Sequence, residues 1–154
     1  MWPRHRPPRR PAPPRWADDD GRPRARILVE HPDPVAQDVL ATGLRQRGYA
    51  VVTCGGPRAD GMTEVTCPLL EGERCPGVDG ADAIVSALPL SSGPERAIVR
   101  RIAEDPGTGP ILLETSRRHV AESLGDVDVH GTVLPLTVDR VVRALDELEA
   151  STVD

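Results

Sequence analysis

Lysine is missing from this chain of 154 residues: all 19 side chains counted as Lys or Arg are arginines, so no site that needs an ammonium side chain exists anywhere in it. Phenylalanine is missing as well, and aromatics are limited to Trp2, Trp16 and Tyr49. A core must therefore come from Val, Leu, Ile and Ala. Branched aliphatics of this kind suit strands buried on both faces, as in a parallel sheet. No apolar run approaches the ~20 residues that cross a bilayer. The basic N-terminus, with Arg9 and Arg10, leads into no apolar segment of the sort that marks a secretory signal. A soluble cytoplasmic protein without membrane contact is expected.

Catalytic signatures are equally scarce. No Ser/His/Asp nucleophile motif and no phosphate loop is present. Gly80-Ala-Asp-Ala-Ile-Val-Ser-Ala-Leu-Pro89 has a superficial likeness to a strand of some dehydrogenases. A dinucleotide site, however, needs a glycine-rich turn after the first strand so that pyrophosphate can approach a helix terminus. Glu30-His-Pro-Asp-Pro34 has no glycine there and is acidic. A nucleotide-binding or enzyme fragment is thus the third-ranked reading. No catalytic residue and no cofactor are assigned, and enzymatic activity is not expected.

The three cysteines, Cys54, Cys67 and Cys75, fall in a stretch rich in Gly and Pro that runs over residues 54–81. Two Cys-Pro pairs stand eight positions apart. Zinc sites usually gather four ligands, with cysteines at tighter spacing, and a fourth ligand is not obvious; His119 or His130 would have to be recruited through the fold. Reduced thiols in a structured loop, a redox-reversible disulfide and a metal site all remain open, and reducing cytoplasmic conditions favour the first. No metal ligand is assigned.

Charge is unevenly placed along the chain. Residues 1–26 hold eight Arg and three Asp, a net +5, which leaves −10 on the remainder of a chain whose total is −5. An acidic body argues against a nucleic-acid groove on the folded part. The basic leader also holds seven prolines, which fix their own backbone angle and donate no amide hydrogen. Residues 1–25 are therefore expected to be a disordered extension with short polyproline II stretches, and residues 151–154 a disordered end.

From Ile27 onward strands and helices alternate. Ile27-Leu28-Val29 is a short apolar run suited to a central strand. Asp33-Pro34 reads as helix cap and first helical residue, and Val35, Val39, Leu40 and Leu44 recur at helical spacing before Gly48 stops the helix. Strands are expected over residues 49–53, 82–88, 110–115 and 131–134. Helices are expected from Pro94, after Ser92 or Gly93, to an end near Asp105-Pro106-Gly107, over 117–124, and after Thr137, where Val138, Val141, Val142, Leu145 and Leu148 form an apolar stripe. Such alternation implies a parallel sheet covered on both faces, with right-handed crossovers.

Arg-Ile-Leu-Val-Glu-His-Pro-Asp-Pro (26–34), the helix ending Leu-Arg-Gln-Arg-Gly-Tyr (44–49) and Pro-Ile-Leu-Leu-Glu-Thr-Ser (110–116) carry a resemblance. Over about residues 26–150 the chain resembles the receiver domain of bacterial two-component response regulators. The resemblance implies an α/β flavodoxin-like fold: a five-stranded parallel sheet of order 2-1-3-4-5, helices on both faces, with the Cys/Pro/Gly-rich loop in place of the second helix.

The chemistry departs from the family. Phosphotransfer to a carboxylate needs the nucleophile, a divalent cation held by acids, and a cation over the phosphoryl oxygens. The family's phosphoacceptor aspartate corresponds to Ala87, with Ser86 turned to the opposite face by strand alternation. The paired acids after the first strand map onto Pro32 and Asp33, one residue being extra in this segment. Glu30 and Asp33 are then what is left of the acidic pocket, beside His31. The lysine position falls near Leu134 and the aromatic switch position near Thr132. Thr115 keeps the family's switch hydroxyl. The resemblance thus implies a stand-alone pseudoreceiver acting through an unknown protein partner, with no output domain after Asp154. Its expected contact face, the fourth helix, fifth strand and fifth helix, would present Arg140, Arg143 and Glu147. A cysteine-dependent redox or metal sensor on the same scaffold is the second reading.

Overall fold

Strand β1 (Arg26–Glu30) buries every residue after Arg26, as a strand covered on both faces must. The structure, a computed structural model, describes residues 24–59, 64–65, 67–91, 93–127 and 129–151. In it β1 pairs in parallel with β2 (Ala50–Cys54) on one side and β5 (Ala83–Ser86) on the other, and β6 (Ile111–Leu113) and β7 (Gly131–Thr132) extend the sheet. The order is β2-β1-β5-β6-β7. Counted within the sheet, that is the expected 2-1-3-4-5. A separate antiparallel pair, β3 (Arg58–Ala59) with β4 (Glu64–Val65), lies in the irregular stretch.

Alternation along the strands divides the interior into two cores. Ile27, Val29, Val85 and Leu112 face helices α1 (Pro34–Gln46) and α5 (Val138–Ser151), which supply Leu40, Leu44, Val141 and Leu145. Leu28, Ile84, Ile111 and Leu113 face the other way, onto α2 (Pro76–Gly80), α3 (Gly93–Glu104) and α4 (Arg117–Leu124). Each large aliphatic fully withdrawn from water contributes roughly 1.5–3 kcal/mol, so the two layers hold the sheet between them. The final helix buries Val141, Val142 and Leu145, with Val138 and Leu148 packed at the margin, as its stripe predicts.

Helix starts follow the local chemistry. The Asp33 carboxylate accepts from the Val35 amide at 2.9 Å with Pro34 at the first helical position. Ser116 accepts from the His119 amide at the start of α4, and Thr137 from the Arg140 amide at the start of α5. Gly48, at φ +91°, closes α1 in a conformation that favours glycine.

Four expectations need correction. Val35 and Val39 do not face the core: they are 72% and 63% exposed, and Ala41 joins Leu40 and Leu44 on the buried side. The second helix is shortened and not simply replaced by loop; a 3-10 turn (Pro68–Glu71) and the five-residue α2 each begin on a proline of a Cys-Pro pair. Arg24 and Ala25 belong to the folded domain, because the Arg24 guanidinium stacks over the Tyr49 ring and pairs with Asp146, while the Ala25 carbonyl accepts from the Ala50 amide. Ser151 ends α5 inside the helix. The expected disorder of residues 1–23 and 152–154 lies outside the described residues. No helix among the described residues is long and apolar enough to cross a membrane.

Candidate functional site: the carboxyl edge of the sheet

All five strands of the parallel sheet point the same way, so their ends and the loops that follow converge on one edge, where folds of this topology place their chemistry. Ala87 is the first residue beyond β5, and its amide donates to the Glu30 carbonyl at 2.8 Å. Its methyl group offers no nucleophile. Thr115 stands beyond β6, buried, with its amide on the Leu113 carbonyl. Leu134 lies beyond β7 and is 58% exposed; its carbonyl accepts from the Arg140 guanidinium at 3.0 Å. An apolar side chain thus stands at this point of the carboxyl edge.

The turn from β1 to α1 is taken up by structural hydrogen bonds. The Asp33 amide donates to His31 Nδ1 at 3.0 Å, the Asp33 carboxylate caps α1, and Gln37 donates to the His31 carbonyl. Asp33 is exposed, whereas Glu30 is buried and turned to the face of the second core, like Leu28 two residues earlier. The two acids expected to share a pocket therefore do not. The family's divalent cation does not fit these residues either: Pro32 and Ala87 have no side-chain donor, Asp33 is engaged in capping, and Glu30 points elsewhere. Among the described residues no group of three or more His, Cys, Asp or Glu side chains is arranged to hold a metal ion.

Glu30 is the unusual group of this edge. It is 4% exposed, and its Oε1 has no hydrogen-bond partner. Removal from water pushes its carboxyl up from 4.5 to about 7, partly opposed by a hydrogen bond from the Ser86 hydroxyl. Ser86 and Cys54 are its register partners on either side, so the three side chains form a row on one face of the sheet. Sequence patterning missed this carboxylate as a core residue. The available signal was its parity with Leu28 along a strand buried on both faces. A second acid not singled out beforehand, Glu114, ties the end of β6 to the segment before α5 by accepting from the Leu136 amide at 2.9 Å.

The fold gathers the three cysteines near Glu30. Cys67 and Cys75 pack partly against the second core, and all three are free thiols. Cys54 keeps exposed surface, yet the protein around its sulfur withdraws it from water enough to push the thiol up to about 11, and nearby Glu30, Cys75 and Cys67 add to the rise. Burial likewise raises Cys67, with the same neighbours contributing. Thiols held protonated are poor nucleophiles and poor metal ligands. An open cleft of about 540 Å³ adjoins Cys75 beside the C-terminal half of α3, lined also by Leu69, Arg74, Val78 and Arg101 among others. Arg140, Arg143 and Glu147 are all exposed on α5.

No family model matches the sequence, and no curated protein is significantly similar to it. Solved structures do match. The chemotaxis response regulator CheY4 of Vibrio cholerae superposes with a TM-score of 0.55 at 19% identity, over 80% of this chain and 97% of that one. The receiver domain of the sensor histidine kinase PA1611 from Pseudomonas aeruginosa, solved with magnesium in its active-site cleft, gives 0.56 at 23% identity, over 80% and 95%. A response regulator from Burkholderia pseudomallei with a phosphorylated aspartic acid gives 0.54 at 21%, over 82% and 72%. This chain has the receiver fold. The receiver topology makes the carboxyl edge the place to compare, and there the chain holds Ala87, Leu134 and an inward-facing Glu30.

Proposed function

We propose that this receiver-fold domain acts in signalling or regulation by docking to a protein partner, without taking up a phosphoryl group. The observation that carries the reading is the pair Ala87 and Leu134 at the carboxyl edge. With a methyl group at the acceptor position, no lysine in the chain and, among the described residues, no set of acids for a divalent cation, neither acceptor nor charge stabilisation is at hand for phosphotransfer. No enzymatic role is proposed. The cysteine-dependent reading ranks below, because burial holds Cys54 and Cys67 as thiols.

Binding is proposed through the face that includes α5, where Arg140, Arg143 and Glu147 stand outside the core and can set charge complementarity. The test of the reading is incubation of the purified protein with acetyl phosphate and magnesium, followed by intact-mass analysis. Unchanged mass is expected. A stoichiometric, acid-labile phosphoprotein would overturn the proposal.

A further inference from the structure

The segment that leaves β5 is fastened to the sheet through Glu30 in two ways. The Ala87 amide donates to the Glu30 carbonyl, and the Leu88 amide donates at 3.3 Å to the Ser86 hydroxyl, which itself donates to the Glu30 carboxyl. Leu88 and Leu90 are then buried in the second core. The relay Leu88–Ser86–Glu30 ends on a carboxyl whose other oxygen has no partner.

We propose that Glu30 is a proton-operated latch on residues 87–90: protonated, it leaves Leu88 and Leu90 packed, and ionised, it loosens this segment at the carboxyl edge. An ionised buried carboxylate demands several donors, and an unmet demand costs far more than an unmet neutral one. Among the described residues the Ser86 hydroxyl is the one donor that bears on it, and Oε1 has no partner. Cys54 faces Glu30 from β2, Cys67 from the 3-10 turn, and Cys75, at the start of α2, adjoins both. Cys54 and Cys67 are held as neutral thiols, so neither compensates a charge nor adds a second one. His31, the next residue, has its Nδ1 occupied by the Asp33 amide. Among the described residues no arginine faces the carboxyl, and Glu30 feels burial and Ser86 alone.

The strands around Glu30 are locked by parallel ladders on both sides of β1. Residues 87–90 are held past the end of the ladder by the two bonds just described, so they are what yields when water must reach the carboxylate. Burial brings the proton's release to about neutral pH, within the range where a change of conditions would operate the latch. Its operation is independent of where a partner docks.

Hydrogen exchange of the Ala87 and Leu88 amides, corrected for the intrinsic pH dependence of exchange, tests it in the full chain. Between about pH 5.5 and pH 8.5 protection should fall about tenfold or more in the wild type and stay level in Glu30→Gln, as expected where one proton governs opening. Equal protection at both pH values in the wild type would overturn the latch, and so would an unchanged pH dependence in Glu30→Gln. Should the variant fail to fold, the wild type alone decides. The carboxyl carbon resonance of Glu30 and the Leu88 amide must titrate with a common midpoint, and a Leu88 amide that ignores the Glu30 titration contradicts the proposal.

Discussion

A buried carboxyl that keeps its proton to about pH 7 makes the stability of this protein depend on pH in a definite direction. The carboxyl of Glu30 releases its proton at about 7 when folded, against an ordinary value of 4.5 when unfolded. Between those two pH values the unfolded chain has lost a proton that the folded chain retains, so stability falls as pH rises through the window and is level above it. The full difference is on the order of 3 kcal/mol, at about 1.4 kcal/mol for each pH unit. Glu30→Gln removes the ionisation while nearly conserving shape. Urea unfolding should show the variant more stable than wild type by about 3 kcal/mol at pH 8 and close to it at pH 4.5. A variant that is less stable at pH 8 would show that the charged form of Glu30 is supported by donors beyond the Ser86 hydroxyl. The same residue marks the limit of sequence reading. Glu30 was legible as an acid near the edge, but which face it takes depends on the register of β1 between β2 and β5.

Among the elements, α1 separates two stripes that spacing alone confuses. Positions 35, 39, 40 and 44 fit a helical period, yet the side that packs is set by Leu40, Ala41 and Leu44, leaving Val35 and Val39 to solvent. A period tells that a helix has an apolar side; its rotation about its axis is fixed by tertiary contact. Leu40→Ala should therefore cost about 2–5 kcal/mol in urea unfolding, and Val39→Ala within about 0.5 kcal/mol. Equal large costs at both positions would return Val39 to the core. Strands and the later helices were legible because runs such as Ile84-Val85 and the stripe from Val138 to Leu148 carry one message at every position. The region between β2 and β5 was not, since a five-residue helix is shorter than one hydrophobic repeat. The prolines of its two Cys-Pro pairs nonetheless stand at helix starts, which turn chemistry allows.

At the scale of the whole molecule, a receiver fold is combined with a carboxyl edge that carries Ala87, Leu134 and an inward-facing Glu30. A parallel sheet could be anticipated from strand–helix alternation, and its order from the resemblance at residues 26–34 and 110–116. The missing lysine and the alanine at position 87 were legible too, being facts of composition and place. The separation of Asp33 from Glu30 was not, since it depends on one residue capping a helix while its neighbour turns inward. If the surface of α5 recognises the partner, Arg140→Glu combined with Arg143→Glu should weaken binding of a captured partner at least about tenfold with the fold intact, charge reversal acting on association without touching the core. Unchanged affinity in a folded double variant would move the interface away from α5. The most direct measurement of the central claim is an amide NMR spectrum recorded with and without magnesium and beryllofluoride, a mimic of the phosphoryl group. Superimposable spectra at Ala87, Thr115 and Leu134 are expected, whereas saturable shifts converging on those three positions would contradict a domain that takes up no phosphoryl group.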